Sequence, residues 1–446
     1  MTNKTLIIAI AGGLGVLALG QAILNAGCDA EVSEEESAAE AEPERSLQDR
    51  LLDCEADRPQ TCPGNNDSGM QRHQGLIDGA ICQFKLRDQG FWQSKGALVD
   101  ALSEELEMVD AVGLLKDLSR NGKKITEHDE LARLELMTEA FGWSAFDHGD
   151  GSWMPQGISG SADASDDELI GGRRVIAISW YNKPEKNNPP GVDKGSRISF
   201  VDTTELSDGK VPYEHALLVD PFDDGGTPNF RPFRIHVGGI AWVGRYIYAV
   251  DTSKGLRLFD TQRMLKVTDD DENRAGRDAK TGDYGAYGHR YVIPQVGAYL
   301  LTEDSCWHRF SFISLDKTSE PRSLVTGEFH DSDIAGKVIR WDLSDGDEVA
   351  MTNRSANELQ PSDVHFVQES DMQGAASVNG EFYLSSSGQD GAWGKLYRAS
   401  HNFETESYGW VIGPEDLMYS AKEKTLWSAS EFAGRRYVFA VDVGKY

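Results

Sequence analysis

From residue 151 onward the hydrophobic pattern is a repeated pair of short β-type runs. The first run of each pair is rich in β-branched and aromatic residues, at 175–181, 246–252, 323–329, 382–387 and 426–432. The second run begins with Gly and often ends with Asp, at 195–202, 255–260, 336–342, 394–398 and 434–442. Such pairs cannot bury both faces alone, so neighbouring units must stack. The pattern predicts an all-β fold, a five-bladed β-propeller, with six blades as the alternative because residues 345–368 can hold further strands.

One more run precedes each pair and predicts the innermost strands, at 156–159, 237–242, 310–315, 373–378 and 415–419, and small residues dominate several of these runs. Glycine suits strands that crowd around an axis, because it lets backbones approach closely. Residues 213–219 and 290–294 are the predicted outer strands of the first two blades. No outer strand follows Asp442, so we expect residues around 141–146 to close the last blade.

A helical period occupies the region before the repeats. Apolar residues recur at helical spacing at Ala97, Leu98, Ala101, Leu102, Leu106, Val109 and Val112. A second run, at Leu131, Leu134, Met137 and Phe141, follows Thr126 as its N-cap. The pattern predicts a small N-terminal helical appendage at 51–150, which packs on the propeller or docks a partner, and a β-propeller domain at 151–446.

Residues 1–28 have the features of an export segment. Lys4 lies in a short polar head, and an apolar stretch at 6–24 leads to small residues and Cys28. This order resembles a bacterial lipoprotein signal, in which Cys28 would be lipidated, although Asn25 stands where that signal carries Leu. An uncleaved membrane anchor and free secretion are the alternatives. All three place the protein outside the cytoplasm, in the cell envelope or secreted.

The next segment, 29–50, is rich in Glu, Ala and Ser and contains no aromatic residue. It cannot bury enough apolar surface to fold, so it is predicted to be a disordered acidic linker. The remaining cysteines are Cys54, Cys62, Cys82 and Cys306. An even number in an exported chain predicts up to two disulfides, with three possible connectivities. Metal binding is the rival interpretation, but no Cys-x-x-Cys or paired His supports it, and no metal ligand is predicted.

The net charge of −29 and the pI near 4.7 restrict the partners. Nucleic acid is excluded, because its binding depends on basic surface that displaces phosphate counterions. The predicted partner is an extracellular carbohydrate, peptide or protein. Contact with a membrane is expected only through the N-terminal anchor.

Several motifs together resemble those of a family of secreted bacterial proteins, familiar mainly from actinomycetes. They lie at 153–158, 177–181, 197–202, 236–242, 248–252, 255–260, 310–316 and 413–417. The resemblance covers about residues 150–446. It implies export and a propeller-like body. The family has no assigned activity, so the resemblance implies no reaction.

Candidate ligand-binding residues are those at the predicted entry to the inner strands, where side chains of different blades converge. They are Gln156, His236, Gln373, Glu415 and Asp416, with His308 and Arg309 before the third inner strand. Exposed aromatic residues on the same face, Trp180, Tyr181 and Trp393, complete the predicted site. The alternative is that these polar groups only satisfy strand ends and trapped waters.

Two functions are consistent with such a site. The first is a non-catalytic binding or scaffold protein, which uses the channel-mouth face to hold its partner. The alternative is a calcium-assisted propeller hydrolase or lyase, with Ca²⁺ as its cofactor and His236 or Glu415 moving the proton. No catalytic residue is assigned. The acidic runs at 147–150, 163–167 and 269–272 lack the spacing of a calcium loop and are predicted to be solvated turns.

Overall fold

The computed structural model describes residue 62 and residues 69–187, 190–344, 357–401 and 403–446. The predicted export segment 1–28, the linker 29–50, and Cys28 and Cys54 lie outside the described residues. Within the described ranges, no helix has the length and apolar character needed to cross a membrane.

In the part of the chain that the structure describes, helices are few and short. The α-helices are α1 Trp92–Ser103, α2 Ala111–Leu115, α3 Ala145–Gly149 and α4 Ser161–Ala164. Single 3₁₀ turns lie at Ile81–Gln83, Asp129–Leu131, Pro184–Lys186, Leu206–Asp208, Gln389–Gly391 and Val443–Lys445.

Strands make up most of the regular structure. The N-terminal region contributes β1 Ile77–Asp78, β2 Leu86–Asp88, β3 Glu107–Val109, β4 Arg120–Asn121, β5 Lys123–Lys124 and β6 Met137–Gly142. The middle of the chain forms β7 Trp153–Gly160, β8 Val175–Asn182, β9 Ser196–Asp202, β10 Pro212–Asp223, β11 Pro228–Pro232, β12 Ile240–Val243, β13 Tyr246–Asp251, β14 Gly255–Asp260, β15 Met264–Lys266, β16 Ala275–Arg277, β17 Tyr284–Ala286 and β18 Tyr291–Leu301. The remainder forms β19 Phe312–Asp316, β20 Ser323–Gly327, β21 Lys337–Asp342, β22 Glu358–Leu359, β23 Asp363–Phe366, β24 Met372–Val378, β25 Glu381–Ser386, β26 Trp393–Ala399, β27 Glu406–Ile412, β28 Pro414–Ser420, β29 Thr425–Ser430 and β30 Tyr437–Asp442.

The main strands pair as runs of four antiparallel neighbours, which we call units 1 to 5. The units are β7-β8-β9-β10, β12-β13-β14-β18, β19-β20-β21-β23, β24-β25-β26-β27 and β28-β29-β30-β6. The outer strands of units 1 and 2, β10 and β18, also pair in parallel and join these units into one sheet. The predicted inner, second and third strands all fall on strands of these units.

The first strands of the units contact one another in cyclic order. Strand β7 contacts β12, β12 contacts β19, β19 contacts β24, β24 contacts β28, and β28 returns to β7. Buried apolar clusters lie between neighbouring units: Trp242 and Phe200, for example, share a cluster of units 1 and 2, and Leu417 and Leu396 share one of units 4 and 5. Radial sheets packed face to face around a common axis form a β-propeller.

The ring is closed by a strand from the N-terminal side of the repeats. Strand β6 pairs antiparallel with β30, with Phe141 opposite Val438. The prediction that residues near Phe141 complete the last unit is therefore confirmed, with the strand ending at Gly142. Both chain regions thus share one sheet, so unit 5 cannot form before the C-terminal residues have been added.

The predicted helical period is only partly correct. Helix α1 covers the first run as far as Ser103, and Leu102 is buried within it. The second predicted helix is wrong, because Met137 and Phe141 lie in β6. Pairing with the free edge of β30 satisfies the backbone there and overrides the helical spacing of the apolar residues.

A disulfide ties the N-terminal region to the propeller. Cys62 and Cys306 are bonded, with 5.5 Å between their Cα atoms and 244 residues between them in sequence. Cys82 is also disulfide-bonded. The prediction of disulfides is confirmed for these cysteines. Closing so long a loop restricts the unfolded chain and thereby stabilises the folded one.

Glycines allow the inner strands to approach at backbone distance. A Cβ on Gly157 would lie 2.6 Å from the backbone of Gly239, and one on Gly239 would lie 2.3 Å from the nitrogen of Ile313. A Cβ on Gly374 would lie 2.5 Å from Cα of Asp416. Real Cβ atoms do not approach backbone atoms this closely, so the ring has the observed diameter only because these positions are glycine.

We predict that Gly239→Ala destabilises the protein by at least about 3 kcal/mol, because the added methyl must push two backbones apart. Gly151→Ala is the matched control, since a Cβ there meets no atom within 4 Å. Urea denaturation measures both free energies of unfolding. Equal stability of the two variants would contradict the close approach of the inner strands.

A second prediction concerns the N-terminal segments. Deletion of residues 1–50 is expected to leave unfolding cooperative, because no apolar periodicity in 29–50 needs a partner. Deletion of residues 1–142 is expected to abolish cooperative unfolding, because it removes β6 and exposes the edge of β30. Calorimetry distinguishes the two. A cooperative transition in the longer deletion would show that β6 is dispensable.

Candidate functional site

A cavity of about 340 Å³ opens where the inner strands begin. It is lined by Gln156, Tyr181, His236, Thr252, Arg309, Ser311, Phe329, Gln373, Glu415 and Glu431. The structure therefore brings together Gln156, Tyr181, His236, Gln373 and Glu415, which the sequence analysis placed at the channel mouth. These residues span about 260 positions of the chain and come from units 1, 2, 4 and 5.

Local bulges aim three of these side chains at the cavity. The register of β7 shifts between Pro155 and Ile158, and that of β28 between Pro414 and Leu417. The register of β24 shifts between Met372 and Gly374. A bulge bends its strand and redirects the side chain at that point. Gln156, Glu415 and Gln373 all occupy these irregular positions, which explains how they leave the strand pattern and face the mouth.

His236 and Tyr181 form an aromatic wall. Their ring centroids are 4.2 Å apart, and the rings are tilted by 34°. His236 precedes Val237, which has a φ of +51°, a conformation that costs a β-branched residue energy. The hydroxyl of Ser179 donates a hydrogen bond of 2.8 Å to the Val237 carbonyl and holds this turn. The backbone thus places the imidazole against Tyr181 rather than in the strand.

The carboxyl groups of Glu415 and Glu431 line the cavity together with Gln156. Gln156 Nε2 donates a hydrogen bond of 3.3 Å to Glu431 Oε2. Burial raises the pKa of Glu415 well above its ordinary value, and the charges of Glu431 and Asp416 raise it further. Burial also raises the pKa of Glu431. The two carboxyls together are therefore held toward their neutral, proton-bearing forms.

Two cationic side chains, Arg309 and Lys183, lie at or near the cavity wall. Desolvation, followed by the charges of Arg309 and Lys183, lowers the pKa of His236, so its imidazole is neutral at pH 7. Arg309 donates a hydrogen bond of 3.2 Å to the carbonyl of Phe329 and lies 5.3 Å from the centre of that ring. Lys183 lies 5.7 Å from the Tyr181 ring centre. The wall therefore offers donors, acceptors and aromatic faces together.

Four predicted residues lie elsewhere. Trp180 is fully buried, and its indole donates a hydrogen bond of 2.7 Å to Ser199 Oγ. The prediction that Trp180 is exposed at the channel mouth is therefore wrong. Consecutive residues of β8 point to opposite faces, and Tyr181 takes the mouth while Trp180 enters the core. Trp393 does not line the cavity and lies beneath Arg133, 4.5 Å from its ring centre. His308 is buried against Thr326. Asp416 lies deeper on the axis.

Asp416 and Asp163 place buried carboxyls along the ring axis. Asp416 accepts a hydrogen bond of 2.9 Å from its neighbour Leu417, and burial raises its pKa well above the ordinary value. Asp163 lies on α4, which contacts β12 and β28 at the far end of the ring. Ser159 donates a hydrogen bond of 2.6 Å to it, but burial still raises its pKa to about 7. These acids are electrostatically coupled to each other.

The acidic run at 147–150 is not the solvated turn that we expected. Asp147 is fully buried and accepts a hydrogen bond of 2.5 Å from the Tyr213 hydroxyl. It also contacts His215 and Arg197, each at 3.2 Å, and the interactions with His215, Arg197 and Arg120 hold its pKa well below the ordinary value. Asp163 is likewise buried. At 269–272, Asp269 pairs with Arg274. The first two acids are thus structural groups inside the protein.

Glu431, Phe329 and Thr252 line the cavity but were not recognised in the sequence. Each lies just after the second strand of its unit, which is β29, β20 and β13 respectively. Their position along the chain could have identified them, because in each unit the end of the second strand lies beside the start of the first strand. Only in unit 1, at Tyr181, did the sequence pattern place a site residue at the end of a second strand.

Comparisons with known proteins place the chain in no family. No family profile matches it, and no curated protein matches it. Similar solved structures include the gluconolactonase XC5397 from Xanthomonas campestris, with 10% identity, a TM-score of 0.30, and coverage of 75% of this chain and 87% of that one. The PQQ-bound aldose sugar dehydrogenase from Streptomyces coelicolor has 12% identity, a TM-score of 0.32, and coverage of 73% and 99%. PhoX from Pseudomonas fluorescens, in complex with vanadate, has 9% identity, a TM-score of 0.32, and coverage of 68% and 91%. Scores this low support no functional argument, so the site must carry it.

The raised pKa of Asp163 predicts a pH dependence of stability. Its carboxyl ionises near pH 4 when unfolded but near pH 7 when folded, so the folded state binds the extra proton between these values. The stability that it contributes is present below pH 4 and lost as pH rises to 7. The shift of about 3 pH units corresponds to about 4 kcal/mol. In Asp163→Asn this loss should be absent.

Denaturation at pH 4 and pH 8 measures this effect as the difference between the wild type and the variant. The exposed Asp208→Asn serves as the control. If the stability of the wild type and of Asp163→Asn changed equally between pH 4 and pH 8, the claim that folded Asp163 retains its proton would be contradicted.

Proposed function

We propose that the cavity binds a neutral, hydroxyl-rich ligand, a carbohydrate unit, and that the protein is a non-catalytic binding module. The observation that carries this proposal is the state of the polar lining. Glu415 and Glu431 are held toward neutral forms, and His236 is a neutral imidazole. Sugar hydroxyls donate and accept hydrogen bonds, and these three uncharged groups can do both, beside the guanidinium of Arg309, which donates only.

The remaining lining supports the same class of ligand. The Gln156 and Gln373 amides add further donors and acceptors at the bulges, and Tyr181 packed against His236 adds an aromatic surface. Aromatic residues with one polar edge suit ligands that have both polar and apolar faces. The volume of about 340 Å³ is at the small end of ligand pockets. A short saccharide or the end of a glycan fits a cavity of this size and polarity.

A hydrolase is the second candidate, and the paired carboxyls favour it. A proton-bearing Glu415 beside Glu431 has the composition of an acid and base pair, as in glycoside cleavage. Calcium does not fit this site well. Glu415 and Glu431 are the carboxylates among the lining residues, and Arg309 and Lys183 are close by, whereas Ca²⁺ takes six to eight oxygen ligands.

The propeller is proposed to have five blades, one for each of units 1 to 5. The cyclic contacts of β7, β12, β19, β24 and β28 support this number. The segment that motivated a sixth blade includes β23, which is the outer strand of unit 3, while residues 345–356 lie outside the described part. Export of the chain, with Cys28 lipidated, is also proposed, with an uncleaved membrane anchor or free secretion as the alternatives. The Cys62–Cys306 bond supports an oxidising compartment.

The test of the binding proposal is calorimetric titration with a panel of neutral mono- and disaccharides. Tyr181→Ala should weaken the affinity for the best of these at least about ten-fold, because it removes the stacking face and its edge. Tyr419→Ala is the control, a half-buried tyrosine outside the cavity. Absence of binding across the panel, or equal affinities in both variants, would rule out the proposal.

The two candidates are separated by Glu415→Gln. A glutamine keeps one donor and one acceptor of a neutral carboxyl, so saccharide affinity should change less than about three-fold. If the protein is a hydrolase, the wild type cleaves the bound saccharide and Glu415→Gln does not, because Gln cannot give up a proton. Chromatography of the saccharide measures the cleavage. Turnover in the wild type that disappears in this variant would establish the hydrolase instead.

A further inference from the structure

A separate cluster lies at the outer edge of unit 3, away from the cavity. Asp78 of β1 is the Cα partner of His365 in β23. His401 follows β26 on the hairpin of unit 4. Asp78 Oδ1 is 3.1 Å from His365 Nδ1 and 2.7 Å from His401 Nε2. Three segments distant in the sequence thus direct two imidazole nitrogens and one carboxylate oxygen at a common point.

The separations match those of a metal site. One oxygen and two nitrogens, one from each residue, all lie within 4.8 Å of one another. Ligands at about 2.0–2.1 Å from a tetrahedral ion are about 3.4 Å apart, so movements of a few tenths of an ångström to about 1 Å would complete the shell. The two imidazole rings are already perpendicular, with an interplanar angle of 79° and centroids 4.8 Å apart. They therefore present different nitrogens without stacking.

The exposure of the cluster is also suitable. The His365 side chain is 9% exposed, which fixes one ligand, whereas His401 and Asp78 are 43% and 75% exposed. The buried imidazole supplies a rigid ligand, and the open side leaves a position for water. Because two of the three ligands are imidazoles, the site favours a borderline transition metal over Ca²⁺ or Mg²⁺, which prefer oxygen ligands.

We propose that Asp78, His365 and His401 form a site for a divalent transition-metal ion of the Zn²⁺ class. The ion joins β1, β23 and the hairpin after β26. The backbone between these segments is already close, because Leu76 N donates a hydrogen bond of 3.3 Å to the Ser400 carbonyl and Gly75 packs directly against Ser400 and Phe403. Binding fastens the N-terminal strand to units 3 and 4, so the ion acts as a clamp.

The experiment is a titration of the chelator-treated, full-length protein with Zn²⁺, followed by calorimetry, with Ca²⁺ and Mg²⁺ as comparisons. One Zn²⁺ should bind per chain, and the melting temperature should rise with Zn²⁺ concentration. Removing a residue that only hydrogen-bonds to a metal ligand costs roughly 10- to 100-fold in metal affinity. His401 is a direct ligand in this proposal, so His401→Ala should weaken Zn²⁺ binding by at least about 100-fold. Ca²⁺ should leave the melting temperature unchanged.

The matched control is His73→Ala. His73 is also exposed and also pairs with a carboxylate, at 2.8 Å from Glu369, but among the described residues the pair belongs to no group of three metal ligands. This variant should keep wild-type affinity for Zn²⁺. Asp78→Asn, which preserves the size of the side chain, should behave like His401→Ala. If Zn²⁺ does not bind, or binds equally well to all variants, the proposal is overturned.

Discussion

The close approach of the inner strands at the ring axis is the constraint on which the rest of the structure depends. Gly157, Gly239 and Gly374 let each first strand pack against its neighbour at backbone distance. The contacts continue from unit to unit until β28 meets β7. The apolar clusters between units then follow from the geometry, because each sheet must radiate from an axis of this width. Any side chain at these positions would open the ring and separate all the clusters at once.

The same packing buries ionisable side chains along the axis. Glu415 and Asp416 occupy the axial end of β28, where little water can reach them, and both retain their protons well above the ordinary range. Asp147, by contrast, is equally buried but ionised, because Arg197 supplies a positive charge at 3.2 Å. Burial alone does not decide the charge of a carboxyl. A guanidinium at 3.2 Å keeps Asp147 ionised, whereas at Glu415 burial and the neighbouring carboxyls outweigh the charge of Lys183.

The propeller was predictable because its strands carry alternating and small-residue patterns that repeat. Even the closing strand near Phe141 followed from the missing outer strand after Asp442. The site was predictable in part, since the starts of inner strands must meet at one end of the axis. The bulges at Gln156 and Glu415 were not, because a one-residue register shift leaves no composition signal. Trp180 was placed on the wrong face for the related reason that the sequence does not state which strand neighbour points inward.

Long-range partners explain the remaining errors. Met137 reads as part of a helix until the free edge of β30 is present to pair with it. The histidines at 365 and 401 are not neighbours in sequence, and their third partner lies almost 300 residues earlier, at Asp78. Spacing rules find ligands on one element. They cannot find a site assembled by strand addition from the other end of the chain.

Native-state hydrogen exchange tests the central claim most directly. The amides of Ile158, Ile240 and Ile313, which lie on three different inner strands, should exchange only through global unfolding and with one common free energy. That free energy should equal the value from denaturation. If these amides exchanged faster than those of the outer strands β10 and β27, or with different free energies, the packed ring would not be the unit that holds the protein together.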